Sequence, residues 1–248
     1  MIIGIATLFI LLFSVMESPL LLKETDKLVK KYVVEETRKE RMLSLLDEGH
    51  KARKAFVKKD TKLTKEFDKR YKLRASNENE LSGLVDQYTK ARIRMQEVNL
   101  EVSVKAQDLI LDNEWEQIQP GMIKGMKKFG KDLTKNKTKI EKSFRKDEKV
   151  YQKAIEDQVK LENILKASKE FESTLYSFLD KQIAVINDEN SVLYKLRVEQ
   201  KEIIALQAKQ TQEIEGLLNL YVTFHQVLVE NTTEKEWNKI KNSIKFPL

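Results

Sequence analysis

Residues 191–230 read SVLYKLRVEQKEIIALQAKQTQEIEGLLNLYVTFHQVLVE. Within them Leu193, Leu196, Gln200, Ile203, Leu206, Gln210, Ile214, Leu217, Leu220, Phe224 and Leu228 recur at spacings of three and four. Since an α-helix completes a turn in 3.6 residues, that alternation places all of them on one narrow stripe, and it predicts a long helix packed along a seam. Gly216 lies off the stripe and proline is absent. Gln200 and Gln210 fall on the stripe and read as buried polar residues that fix the register of packing.

The same spacing recurs upstream. Leu81, Leu84, Tyr88, Met95, Val98, Val102, Ala106 and Leu109 form a second seam. A third runs from about Ile140 to Ile186 through Phe144, Tyr151, Leu161, Leu165, Leu175 and Phe178, and a sparser one from Leu28 to Phe67. With 7 Gly, 3 Pro and no Cys in 248 residues, turn-rich and disulfide-built folds are excluded, and the expectation is an all-α protein. Breaks are expected at Ser76-Asn77-Glu78-Asn79 and Asn187-Asp188-Glu189-Asn190, whose side chains compete for backbone hydrogen bonds. Gln119-Pro120-Gly121, with Gly125 and Gly130 after it, reads as a linker. The expected architecture is an elongated antiparallel helical bundle built of coiled-coil hairpins, over residues 23–118 and 139–248 with a linker at 119–138. Asn99-Leu100-Glu101-Val102 and Asn219-Leu220-Tyr221-Val222, each followed by Glu-Trp-x-x-Ile at Trp115 and Trp237, hint at an internal duplication. Each Trp is expected in a short terminal helix that caps the bundle.

Residues 1–16 contain no charged side chain and are dense in Ile, Leu, Phe and Val. Together with Leu20, Leu21 and Leu22 they read as an N-terminal membrane anchor or signal segment over 1–22. Pro19 would follow the best cleavage position, which favours an uncleaved anchor. Sixteen helical residues rise about 24 Å against a hydrocarbon core of about 30 Å. Lys23, Lys27, Lys30 and Lys31 follow the span, and by the positive-inside rule they would hold the bulk in the cytoplasm. Exported chains commonly begin with such a segment, so the expected location is membrane-anchored with the bulk extracytoplasmic, in the periplasm.

The net charge of +7 is unevenly spread. Residues 51–74 carry +8, residues 75–120 carry −5 and residues 121–160 carry +7. If the first two arms fold back near Asn77, the first basic block is expected to face the acidic arm and be answered there. The second block has no acidic neighbour of similar size. Its lysines Lys124, Lys127, Lys128, Lys131, Lys135, Lys137 and Lys139 are therefore the candidate surface for an anionic partner, a lipid or polysaccharide. Nucleic acid is disfavoured, because no docking motif is present and aromatic platforms are sparse.

Catalytic chemistry finds little support. Two His and no Cys exclude thiolate and zinc-finger sites. Only Asp47-x-x-His50 has the carboxylate-to-His spacing of a helical di-metal half-site, and His225 has Val222 where the second carboxylate would be. No P-loop, nucleophile elbow or dinucleotide fingerprint appears. The expected function is therefore non-enzymatic and without a cofactor: a membrane-tethered scaffold or binding protein of the cell envelope. Its partners would be engaged through helical seams, which also offer self-association, or through the lysine surface. The alternatives are a periplasmic helical chaperone or stress sensor, and a membrane-active, toxin-like helical protein.

Overall fold

The computed structural model describes residues 19–241. The N-terminal anchor expected over 1–22 lies almost wholly outside the described residues, and no described helix is long and apolar enough to cross a membrane. Among the described residues 86% are helical and none is in a strand, and seven α-helices pack as a bundle. These are α1 (Lys23–Tyr32), α2 (Glu36–Tyr71), α3 (Glu78–Gln107), α4 (Asp112–Ala154), α5 (Gln158–Asn187), α6 (Gln200–Glu230) and α7 (Glu234–Ile240).

Short polar caps separate the elements. The Glu35 carboxylate accepts from the Thr37 and Arg38 amides to start α2, Asn77 accepts from the Glu80 amide to start α3, and Asp157 accepts from the Val159 and Lys160 amides to start α5. Each satisfies donors that a helix N-terminus leaves unpaired. The connections are short enough that α2 through α6 run up, down, up, down and up. Cross-helix pairs fix that register: Phe56 meets Tyr88, Lys137 meets Asp180, Phe144 meets Phe171 and Gln182 meets Gln210. Around the bundle the order is α2, α3, α6, α5, α4, with α1 wedged between α4 and the lower half of α2.

Two apolar clusters hold these helices. The larger is formed by α2 to α6 and closed at the upper end by α7, whose Trp237 is buried and donates from Nε1 to the Lys72 carbonyl at 3.2 Å. Beneath it Tyr71 and Tyr221 stack at 4.4 Å and 7°, and His225 meets Tyr71 and Trp237 edge-on. The smaller cluster joins Leu20, Leu21 and Val29 to Met42, Leu46, Val102, Trp115, Ile118 and Met122 at the lower end.

Several sequence expectations change. Residues 119–138 are not a linker but lie inside α4, a single 43-residue helix that includes Pro120. Its glycines serve close packing instead. A Cβ at Gly121 would lie 2.7 Å from Leu28 Cδ1, one at Gly125 would lie 3.1 Å from Leu22 Cδ1, and one at Gly49 of α2 would collide with Leu21. Small residues on both flanking helices let α1, through Leu28, and the residues just before it, Leu21 and Leu22, settle between them. The third seam is two helices, interrupted at Ile155 to Asp157 where Asp157 caps α5. The fourth begins at Gln200, which is exposed, because residues 192–194 form a 3-10 turn pinned by the buried Tyr194, whose hydroxyl donates to the Ile186 carbonyl at 2.7 Å. Gln210 is buried as expected and donates to Gln182 at 3.0 Å. Trp237 sits in a short terminal helix, whereas Trp115 opens the longest helix, so the two halves of the suggested duplication occupy unlike places.

Candidate functional site

The seven lysines singled out from the sequence all lie on α4, but they do not share one role. Lys127 pairs with Glu189, in the connection just past the end of α5. Lys137, a fifth exposed, is held by both oxygens of Asp180 at 2.6 and 2.7 Å, with its ammonium 5.4 Å from the Tyr176 ring centre. These two lysines join α4 to α5 and the connection after it. The other five, Lys124, Lys128, Lys131, Lys135 and Lys139, are exposed on the opposite, solvent-facing side.

That side continues beyond the residues first chosen. Lys142, Lys146, Lys149 and Lys153 are also exposed and extend the row. The nine lysines are separated by three or four residues throughout, so a helix of 3.6 residues per turn holds them in one line about 44 Å long. The clue was available in the sequence, since lysine itself repeats with helical period, but the supposed linker at 119–138 concealed it. Asp132 lies 3.7 Å from Lys135, and buried Asp147 interacts with Lys146.

Such a row carries an energetic penalty. Like charges at i and i+4 destabilise a helix by about 0.2–0.5 kcal/mol per pair, whereas alternation with Glu would stabilise it and give the same solubility. The packed side of α4 is furnished quite differently, by Met122, Met126, Leu133, Ile140 and Tyr151. A long line of exposed ammonium groups is suited to a ligand with repeated negative charge, since it supplies attraction without imposing the fork geometry by which Arg selects particular phosphates.

The first basic block is answered within its own hairpin more along α2 than across to the acidic arm. Its ion pairs mostly run along α2: Lys51 with Asp47 at 2.6 Å, Arg70 with Glu66 at 3.0 Å and Lys72 with Asp68 at 2.8 Å. Toward α3, Arg70 comes within 3.9 Å of Glu80. Lys54, Lys58, Lys62, Lys65 and Lys69 stand exposed on α2, again at helical spacing. The acidic charge of residues 75–120 is partly used at the lower end of the bundle. There Glu114, buried at the start of α4, receives Arg38 through two hydrogen bonds, and Asp112 pairs with Arg197 at 2.8 Å.

Neither histidine gathers carboxylates. His50 Nε2 lies 3.2 Å from Asp26 across the α1–α2 contact, while Asp47 is engaged by Lys51. His225 is fully buried, and burial pushes its imidazole down to about 4 despite nearby carbonyls of Tyr71 and Leu73. Among the described residues no group of three or more acidic or His side chains is arranged to hold a metal ion. Two carboxylates are buried: burial raises Asp60 to about 7 and Asp147 to about 8, in the latter case against the opposing charge of Lys146.

The helical seams are consumed inside the bundle. Large apolar side chains left exposed, such as Val57, Ile93, Val159 and Ile204, sit singly on α2, α3, α5 and α6. Isolated residues of this kind are ordinary on protein surfaces. Comparison of the chain with protein-family models, with curated proteins and with solved structures returned no match.

Proposed function

We propose that the chain is a non-enzymatic, membrane-tethered binding protein of the cell envelope, with the helical bundle as a rigid platform and the lysine row of α4 as its contact with an anionic partner. The nine-lysine line is the observation that carries this reading. It is long, straight and self-repelling, and a partner with closely spaced negative charges relieves the repulsion. The uncharged run over residues 1–16 supplies the tether.

A soluble chaperone that holds unfolded clients would need accessible apolar surface, and the isolated exposed side chains described above favour it less. The toxin-like alternative would require a stored conformational change; the packing of α1 into glycine notches favours a fixed bundle instead.

The test uses the full chain. Flotation with phosphatidylcholine vesicles reads the tether, and titration with inorganic polyphosphate reads the row. Replacing Lys124, Lys128, Lys131, Lys135 and Lys139 with Gln is expected to weaken polyphosphate binding by roughly tenfold or more at low salt, with the difference shrinking as salt screens the charges. Equal binding by the two proteins would remove the row from the function.

A further inference from the structure

The cationic character is not confined to α4. Counted helix by helix, α1 carries +2, α2 +5 and α4 +5, while α3 carries −1, α5 is neutral and α6 carries −2. The three basic helices are neighbours: α1 packs on both α2 and α4, and the less basic helices complete the other side of the bundle. Each of the three presents exposed lysines at helical spacing. On α1 these are Lys23, Lys27 and Lys30; on α2 they are Lys54, Lys58, Lys62, Lys65 and Lys69; and on α4 they form the nine-residue row. Solubility alone would not sort charge by side in this way.

The chain also enters the fold on that side. Leu21 is seated against Gly49 of α2 and Leu22 against Gly125 of α4. Those two glycines therefore stand level, well within the length of both helices. The described chain therefore begins between α2 and α4, close to the lower ends of their lysine rows and not at either tip of the helices.

We infer that the side formed by α1, α2 and α4 is a docking face for an anionic phospholipid bilayer, on which the bundle lies with its long axis along the membrane surface. The inference rests on the tethered reading above and replaces a rod standing on one end with a rod lying flat. Three observations favour a bilayer over a nucleic acid. Lys outnumbers Arg on all three rows, which suits diffuse attraction to headgroups and gives up bidentate phosphate recognition. The rows lie on neighbouring helices, so they can meet an extended charged plane together. The described chain starts between two of these helices, at Leu21 and Leu22, so insertion of an apolar tether and headgroup contact would reinforce each other, and each Lys near an anionic surface contributes attraction that falls off within about a Debye length.

The native chain has no cysteine, so single labels can be placed by Lys62→Cys on α2, Lys139→Cys on α4 and Glu97→Cys on α3, each carrying a polarity-sensitive fluorophore. With full-length protein on vesicles of phosphatidylcholine plus phosphatidylserine, the labels at 62 and 139 are expected to report a headgroup environment and the label at 97 to report water. Replacing Lys58, Lys62 and Lys65 with Gln should lower serine-lipid-dependent affinity by roughly tenfold. Equal responses at all three positions, or unchanged affinity in the α2 variant, would overturn the docking face. Binding of double-stranded DNA without any preference for serine-lipid vesicles would also overturn it and give the face to nucleic acid. Flotation on phosphatidylcholine alone separates the two ideas. If it fails while serine-lipid binding persists, the tether is lost and the face stands; if it succeeds with no response to phosphatidylserine, the face is lost and the tether stands.

Discussion

Arg38 of α2 and Glu114 of α4 face each other through two hydrogen bonds of 2.7 and 2.8 Å, and Arg38 also donates to the Leu109 carbonyl at 2.9 Å. Glu114 is buried and accepts from the Leu111 and Val34 amides as well. One carboxylate thus ties the α1–α2 turn to the α3–α4 turn. The Arg38 hydrogen bonds, with those from the Leu111 and Val34 amides, hold it down to about 2.

A carboxylate whose folded pKa lies below its unfolded value stabilises above the unfolded pKa, and that contribution disappears as pH falls through the folded one. Glu114 should therefore stabilise fully above about pH 5 and contribute progressively less from there down to about pH 2. Glu114→Gln should lower stability by about 2–3 kcal/mol at neutral pH, read by urea denaturation, and the gap from the native chain should narrow as the buffer is acidified. A gap independent of pH would mean that packing, not charge, dominates at this position.

The glycines divide into two kinds. At Gly121 an added methyl meets Leu28, whereas at Gly216 nothing lies within 4 Å. Gly216→Ala should raise stability by about 0.5–1 kcal/mol by reducing the freedom of the unfolded chain and improving helix propensity. Gly121→Ala gains the same propensity but forces Leu28 out of its seat, so it should be neutral or destabilising by about 1 kcal/mol. Thermal unfolding of the two variants side by side reads the difference. A stabilising Gly121→Ala would show that α1 does not depend on that notch.

These glycines also show what the sequence could and could not disclose. Hydrophobic spacing identified helical stretches, and Asn77 and Asn187 marked true ends. Pro120 and Gly121 misled because propensity is a local quantity, while tertiary packing can override it: Gly121 and Gly125 of α4 pack against Leu28 and Leu22, about 100 residues away in the chain. The end of α4 was missed for the converse reason: a capping Asp157 beside Glu156 looks like any other pair of surface acids until the helix turns there. The lysine row was visible as charge, but its separation into α5-facing and solvent-facing members needed the position of α5. That α1 packs on both basic helices was beyond reach, because nothing in the sequence specifies which helices become neighbours.

Asp60 and Asp147 predict the opposite pH response to Glu114. Burial raises both, the Thr64 hydroxyl at 3.3 Å being the hydrogen-bonding partner of Asp60. For a raised carboxylate the folded state favours the protonated form. Stability is then greatest below the unfolded pKa of about 4 and declines as pH rises toward the folded values, here about 7 and about 8. Asp60→Asn removes the titration while keeping the size and should raise stability by about 1–3 kcal/mol at about pH 8, with little effect at about pH 3, below the unfolded pKa. Urea midpoints at the two pH values check this, and a variant equally affected at both would sink it.

Gln182 and Gln210 join α5 to α6 through a buried hydrogen bond of 3.0 Å, one step across from Thr211 of α6, which donates to Gln96 of α3 at 2.9 Å. This polar layer crosses a largely apolar bundle interior. Removing one member leaves its partner's amide buried and unsatisfied, at a cost of about 1–3 kcal/mol, while removing both can be nearly neutral. Gln210→Leu is therefore expected to destabilise more than Gln182→Leu combined with Gln210→Leu, a coupling that a double-mutant cycle measures directly. The double variant should keep its stability but lose definition of register, since an apolar layer accepts sliding of α5 against α6 that the amide pair forbids. Amide-exchange protection along α5 and α6 reads that loss. Additive single costs together with unchanged protection would show that the layer is no more than two independent polar residues.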